Sequence, residues 1–514
     1  MTEPPHAANG SGPAAGQDWT ARLVLSTVFL AMVLEALALG ASMVAIGLPS
    51  ILREFPTTQG GWLTTVYFLA GAVCAPLLGK AADLYGKRRV LLITMLVSGA
   101  GAVVCALAPS FGVMVVGRAL QGPILATLSL IPSFIRDVYP PRQAVFAASI
   151  TVTGMGAFSL ISPLLLGWII ATAGFRGMFW FDAVWTLGLC AAIRLTTPES
   201  ALRRRARPDV LGGLLLTAGV LAVLLYASMG RSWGWASATG MGLLLGGAVL
   251  LALFFRNTRR APEPIVKLSL FRRKPLLFVA IASATAYAVS ASTFQLIPLL
   301  AMTPREAGGT YGLGLTTLEY AFIETPKALV TVTSGLLLGV LVARGRNPRL
   351  FLTVALAAWA TGTTLLALRN DTFGDLLVGA LAVGIGGGLA TASVPGLVMR
   401  ATPAGDQGST AGTVQLCQTG FSAVLPVVMF SVLAQYASVT PGGGVVYAEQ
   451  GFRNWLLFSA VFAIVVLLVG VTLLRERPGE EVEEFTVDGR PPADAAAGDD
   501  TGTGTVAPAG TPKA

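Results

Sequence analysis

The chain has few charged residues for its length. Asp, Glu, Lys and Arg make up 12% of its 514 residues, whereas 54% are hydrophobic and the mean hydropathy is +0.72. Such an apolar composition excludes an ordinary soluble protein and is typical of a helical membrane protein with many spans. The net charge of +9 comes from basic residues between apolar runs, which indicates membrane topology and not a nucleic-acid partner.

Other scarce features exclude whole classes of function. The one histidine, His6, lies in the N-terminal tail, so a proton relay inside the bilayer must use carboxylates. The four cysteines lie in apolar runs without disulfide or metal spacing, and we expect no metal or cofactor. The chain has no phosphate-binding G-x-x-x-x-G-K-[ST] loop and no nucleophile–base pair, which argues against an ATP-driven pump and an enzyme. The first twenty residues also lack the features of a cleaved signal peptide, and none is expected.

Long apolar runs are abundant instead. A helix needs about 20 apolar residues to cross a bilayer, and by this measure the sequence predicts an all-α protein with fourteen spans. Their predicted limits are 22–48, 62–79, 90–108, 112–134, 144–171, 178–195, 210–229, 237–256, 276–301, 318–342, 350–368, 375–398, 411–436 and 454–474.

The loops between these runs predict an orientation. Every second loop is rich in Arg and Lys, as in GKRR (86–89) and RRRAR (203–207), so the positive-inside rule places these loops and both termini in the cytoplasm. We call the ends of the spans at these loops the predicted inner end and the opposite ends the predicted outer end. The predicted organisation is an N-terminal tail 1–21, a six-helix bundle 22–195, an inserted segment 196–275, a second bundle 276–474 and a disordered tail 475–514.

Several spans contain ionisable residues, although a charge at the bilayer centre costs at least roughly 2.5–3.5 kcal/mol. Glu35 lies in the middle of the first span, and Arg118 lies in the fourth. Glu324 and Lys327, three residues apart around Pro326 in the tenth span, are interpreted either as a local pair that shapes the cavity or as a substrate contact, and Pro326 is expected to bend that span. Asp182 and Asp375 are interpreted as interfacial groups near outer helix ends. We expect the polar faces of these spans to line a central cavity, whose candidate residues are Gln121, Tyr287, Phe294, Tyr320, Glu324, Lys327, Gln415 and Gln418.

Two motifs resemble those of the major facilitator superfamily. The loop after the second span fits Gly-x-x-x-Asp-x-x-Gly followed by basic residues, and Arg118, Gln121 and Gly122 fit an Arg-x-x-Gln-Gly element of the fourth span. The 6+2+6 plan resembles the fourteen-span drug:proton antiporter branch. The resemblance implies a substrate site between the two bundles and a loop that gates the inner end, with Asp83 against the start of the thirteenth span after Ser409 and Thr410. The gate residues would be Gly79, Asp83, Gly86, Lys87, Arg88 and Arg89.

The chain departs from the branch at three places. Nine residues before Pro49, where the branch has an Asp, this chain has Gly40. The antiporter element that the branch has in its fifth span is poorly matched here, although Pro163 can still bend that helix. Asp182 stands where the branch has Asn. Because the first and fourth spans are neighbours in the family fold, we expect Arg118 near Glu35, where it would tune a proton switch; a static Glu35–Arg118 pair is the alternative.

The leading hypothesis is a monomeric exporter in a bacterial inner membrane. It would move amphipathic molecules such as antibiotics or a self-made metabolite outward, using protons and the lipid bilayer as its partners. An exporter of lipids or lipid precursors is the alternative within the same class. A receptor or assembly factor on this fold is less favoured, because the chain has no sizeable soluble domain.

Overall fold

The computed structural model describes residues 21–200, 209–262, 264, 274–305, 311–344, 348–401, 407–439 and 445–473. The predicted tails, apart from Ala21, and most of the two basic loops that flank the inserted spans lie outside these residues. In the described part, thirteen helical segments are long and apolar enough to cross a membrane, with Phe111–Val138 counted as one segment. The helices are α1 (Ala21–Glu54), α2 (Trp62–Tyr85), α3 (Lys87–Leu107), α4 (Phe111–Gln121), α5 (Thr127–Val138), α6 (Pro141–Thr196), α7 (Val210–Trp233), α8 (Ala238–Thr258), α9 (Lys274–Met302), α10 (Thr317–Ala343), α11 (Pro348–Leu368), α12 (Phe373–Ala401), α13 (Gln407–Ala434) and α14 (Glu449–Leu473).

Two predicted spans differ from the observed helices near prolines. The first helix does not close at Pro49 but continues to Glu54. A proline removes one backbone donor, and a membrane helix can satisfy the freed carbonyl elsewhere, so Pro49 does not end α1. The fourth span is not one regular helix: a 3₁₀ segment, Gly122–Ala126, joins α4 to α5. Gly122 also packs closely on α2, since a methyl group there would lie 2.5 Å from the carbonyl oxygen of Tyr67.

The predicted fifth and sixth spans meet at Gly174 inside α6. Gly174 has φ 68° and ψ −178°, a conformation that glycine adopts without a Cβ clash, and two helices join there. A methyl group on Gly177 would lie 3.4 Å from Cγ2 of Ile169, eight residues earlier. Eight residues of straight helix would separate these positions by about 12 Å. The chain therefore reverses direction at Gly174 without an intervening loop.

The helices α1–α6 form a first group and α9–α14 form a second group, with the inserted helices α7 and α8 between them in the chain. α1 packs along α6, and α3 packs on α4 and α6. In the second group α12 packs on α10 and α11, α9 on α13, and α11 on α14. The inserted helix α7 packs on α8 and also contacts α2 and α13, one from each group. The indole nitrogen of Trp62 on α2 donates to Ser228 Oγ on α7 at 3.0 Å.

The two groups meet at the predicted outer end. Thr65 Oγ1 on α2 donates to the carbonyl oxygen of Ala423 on α13 at 2.6 Å, and Gly61 faces the carbonyl of Pro426. One large apolar cluster contains Leu48 and Phe430 from this end together with further residues of both groups. The separate cluster toward the predicted inner end contains residues of the first group only, which are Leu30, Val33, Leu34, Leu37, Tyr67, Leu91, Met95, Ile124, Leu125, Ile131, Phe134, Ile135, Tyr139, Ala147, Leu189, Cys190 and Ile193. In the described residues, contact between the groups is therefore concentrated at the outer end.

Candidate functional site

Arg118 is the most deeply buried cation of the described chain, with 0% of its surface exposed. Its guanidinium donates to the carbonyl oxygens of Leu63 (3.1 Å) and Gly40 (2.9 Å) and to Gln121 Oε1 (2.7 Å). It also lies 4.3 Å from the ring centroid of Tyr67, a cation–π contact. One side chain of α4 thus holds α1 and α2 together at membrane depth.

Arg118 does not pair with Glu35, whose carboxyl oxygens have no hydrogen-bond partner, so the alternative of a static Glu35–Arg118 pair was wrong, while the tuning of Glu35 by Arg118 stays a prediction. Arg118 binds α1 at Gly40, which lies five residues beyond Glu35, or about 7.5 Å along a helix. The space beside Gly40 is taken by Tyr67, whose hydroxyl would lie 3.0 Å from a Cβ at that position. A side chain at position 40 would therefore require Tyr67 to shift by a few tenths of an ångström, and in the present chain the guanidinium binds the backbone carbonyl of Gly40.

Glu35 is buried without a hydrogen-bond partner. It is 5% exposed, and neither carboxyl oxygen accepts or donates a hydrogen bond in the described part of the chain. An ionised carboxylate in this position would carry the full cost of an unpaired buried charge. Such a site is compatible with a carboxyl that is neutral when buried and ionised when water or a partner reaches it.

Asp182 is not interfacial, as its place near a helix end had suggested, but buried at 3% exposure. Its Oδ2 accepts from Gln121 Nε2 at 2.8 Å, and its Oδ1 accepts from Thr186 Oγ1 at 3.3 Å. The second helix of α6 begins directly after Gly174, so Asp182 lies about 12 Å along that helix from the bend and not at its first turn. The available signal was the carboxylate itself within the apolar run FWFDAVW (179–185).

A second polar cluster lies on α10 and α9. Lys327 Nζ lies 2.7 Å from Glu324 Oε1, and the Tyr320 hydroxyl donates to Glu324 Oε2 at 2.9 Å. The Lys327 ammonium also lies 4.5 Å from the centroid of the Phe294 ring. The described helix α10 continues through Pro326. Four candidate cavity residues are therefore brought together in one neutral cluster.

The remaining cavity candidates differ in exposure. Gln121 and Gln418 are buried, Tyr287 is half-buried, and Gln415 on α13 is exposed. Gln121 belongs to the Arg118 network, which is separate from the Glu324 cluster in the contacts described above. The described contacts thus place Gln121 in one polar centre and Tyr320, Glu324, Lys327 and Phe294 in another.

The loop that joins α2 to α3 binds its own bundle. Gly86 has φ 108°, a value reserved largely for glycine, and makes the tight turn expected there. Lys87 Nζ forms a buried ion pair with Asp137 and also donates to Ser133. The guanidinium of Arg88 donates to the carbonyl oxygen of Arg194 at 2.5 Å.

Glu199 caps α3 next to this loop, a contact that the sequence did not predict. Its two carboxylate oxygens accept the backbone N–H groups of Arg88 (3.0 Å) and Arg89 (3.1 Å). A carboxylate at a helix N-terminus satisfies free donors and complements the helix dipole. Because 110 residues separate Glu199 from Arg89, no local pattern signals the pairing.

The predicted contact of Asp83 stays a prediction. Asp83 is half-buried, and the side chains at the start of α13, including Ser409 and Thr410, lie outside the described residues. A methyl group on Gly79, one turn before Asp83, would have no atom within 4 Å. The predicted inner end of α2 is therefore open at this position.

Comparison with known proteins identifies the family. Residues 28–426 match the sequence model of the Major Facilitator Superfamily. An uncharacterized MFS-type transporter of Mycobacterium tuberculosis is 28% identical over 76% of this chain, and the chain spans about half (55%) of its length. The Multidrug resistance protein Stp of the same species is 28% identical over 81% of this chain and 77% of its own.

A solved structure shows the same fold. The crystal structure of the POT family transporter PepTSo superposes with a TM-score of 0.63 over 89% of this chain and 98% of that one, at 13% identity. The family match points to a transporter and not an enzyme. With a family match over more than half of its length, this chain is a member of the major facilitator superfamily.

Proposed function

We propose that this protein exports amphipathic small molecules in exchange for protons, across a bacterial inner membrane and through fourteen spans. A relative named for multidrug resistance supports drug-like substrates. The two helices that meet at Gly174 support the span count, since each is long enough to cross separately. Both termini lie in the cytoplasm in this proposal, as the basic loops predict.

The observation that carries the proton-coupling proposal is the environment of Glu35. It is the described carboxyl group that is both buried at membrane depth and free of any hydrogen bond at both oxygens. Glu324 has an ammonium partner, and Asp182 has two donors. Protonation therefore lowers the free-energy cost of burial more for Glu35 than for these two acids, and entry of water would favour its ionised form.

The arrangement of the two groups supports alternating access. Contacts between α2 and α13 close the predicted outer end, while a side chain at Gly79 would meet open space at the inner end. This is the arrangement expected of a carrier that faces the cytoplasm. Movement of one bundle against the other would then expose the polar centres to the outside.

The test is a susceptibility panel in an efflux-deficient bacterium that expresses wild type or Glu35→Gln at matched levels. The panel includes lipophilic cations, neutral antibiotics and acidic antibiotics. Glu54→Gln is the control, because Glu54 is an exposed acid on the same helix, paired with Arg176 at 2.7 Å. We expect wild type and Glu54→Gln to protect against some compounds and Glu35→Gln to protect against none.

Two outcomes would contradict the proposal in different ways. Protection that survives Glu35→Gln would move the proton site to another acid, with Glu324 next in line. No protection by wild type against any compound would exclude drug export and favour lipid or dedicated-metabolite transport.

A further inference from the structure

A buried cation and a buried carboxylate face each other across one amide. Arg118 comes from α4 and Asp182 from the second helix of α6, and both are almost completely buried. Gln121 connects them, at 2.7 Å from Arg118 Nη1 and 2.8 Å from Asp182 Oδ2. The described salt bridges do not include either residue in a direct ion pair.

The donor inventory fixes the direction of these hydrogen bonds. Arginine has no acceptor, so the Gln121 oxygen must face Arg118 and its NH₂ group must face Asp182. Asp182 then accepts at Oδ2, and it accepts from Thr186 at Oδ1. An ionised carboxylate satisfies both donors, and its negative charge balances the guanidinium across the amide.

We propose that Asp182 is a positioning residue of the proton switch: it is the fixed countercharge of Arg118, held through Gln121, and it leaves Glu35 as the acid that exchanges the proton. The inference rests on the proposed proton-coupled function. Without Asp182, the Arg118 charge would act unbalanced on α1 and favour the ionised form of Glu35.

The groups around Asp182 are few. In the described chain, Arg118 is the titratable side chain that acts on Asp182, and Asp182 in turn acts on Tyr67 of α2 and Cys105 of α3. On α1, which packs along α6, the buried acid is Glu35. Tyrosine and cysteine are neutral near pH 7, so the balance of charge in this region depends on Arg118, Asp182 and Glu35.

The experiment is a pH titration of purified full-length protein in detergent, followed by infrared spectroscopy of protonated carboxyl groups. It needs no substrate. The difference spectrum between wild type and Glu35→Gln isolates the Glu35 band. We expect Asp182→Asn, which keeps the size and an acceptor oxygen, to lower the midpoint of this band by up to about one pH unit, which is the effect of one uncompensated charge at about 10 Å for an effective dielectric of about 20.

The double variant Arg118→Gln/Asp182→Asn is the matched control, because it removes both charges and should return the midpoint to within a few tenths of a pH unit of wild type. A shift in the single variant that the double variant reverses supports the inference. An unchanged midpoint in Asp182→Asn overturns the inference alone, as does a shift that the double variant retains in full. A spectrum unaffected by Glu35→Gln contradicts the proposed function and the inference together.

Discussion

At the residue scale, the ionisable groups in the membrane spans of this protein have three kinds of environment. Arg118 is saturated by backbone and amide acceptors, Glu324 and Lys327 neutralise each other, and Glu35 has no partner. Removing one member of a satisfied group leaves the rest unpaired in a poorly solvated place, which costs more than the bond itself is worth. Changes in these residues therefore have unequal effects.

Arg118→Lys should abolish protection and lower the melting temperature of the purified protein. A lysine has three donors on a flexible stem and cannot reproduce the fork that binds Gly40, Leu63 and Gln121. Each lost hydrogen bond of this charged kind is worth about 1.5–3 kcal/mol. Arg136→Lys, at a side chain 70% exposed, is the control and should change the melting temperature little. Equal melting temperatures for the two variants would refute the structural role given to Arg118.

Glu324→Gln and Lys327→Met should each be more harmful to stability than the two changes together. Each single change leaves an unbalanced group beside Phe294 or Tyr320, whereas the double change removes both charges. Loss of one partner of a buried pair costs about 3–5 kcal/mol. A double-mutant cycle on the melting temperature measures the coupling, and strictly additive effects would mean that the pair is not formed in solution.

At the element scale, glycines decide how closely helices approach. A methyl group on Gly388 of α12 would lie 2.0 Å from the carbonyl oxygen of Thr331 on α10, so Gly388→Ala must separate the two helices. We expect a loss of about 1–3 kcal/mol of stability, measured by thermal unfolding. Gly246→Ala on α8 is the control, because its methyl would meet no atom within 4 Å and alanine favours a helix. A neutral Gly388→Ala would contradict the packing of α10 on α12.

The positions of the helices could be predicted well from the sequence, whereas the contacts between helices could not. The inserted spans predicted at 210–229 and 237–256 are observed as Val210–Trp233 and Ala238–Thr258, because apolar length alone defines a span. The Glu324–Lys327 pair was also predictable, since both residues lie on one face of one helix. The Arg118–Gln121–Asp182 network was not, because it depends on how far each helix is rotated and shifted against its neighbours.

At the scale of the whole molecule, the inserted helices do more than lengthen the connection between the bundles. Trp62, Leu224 and Val427 belong to one apolar cluster, in which α7 contacts both α2 and α13. The outer ends of α2 and α13 must separate if the carrier is to open outward. Outward opening therefore requires α7 to lose its contacts with α2 or with α13, so α7 belongs to the surfaces that move.

The side that is open can be tested by cysteine labelling. In a chain whose four native cysteines are replaced, Gly79→Cys should react with an impermeant maleimide from the cytoplasmic side, because a side chain there meets no atom within 4 Å. Thr65→Cys should resist labelling from either side, since Thr65 is fully buried against Ala423. Rapid labelling of Thr65→Cys from outside, with slow labelling of Gly79→Cys, would show that the resting protein faces outward.

The reversal at Gly174 also bears on how the chain enters the membrane. Two helices join there without a polar loop, and backbone at this point follows directly from one helix into the next. Because no loop separates the two helices, the end of the first helix cannot stay in water while the second helix is synthesised. We expect the pair to enter the bilayer as one helical hairpin during biosynthesis, and a short polar insertion at Gly174 to uncouple their entry.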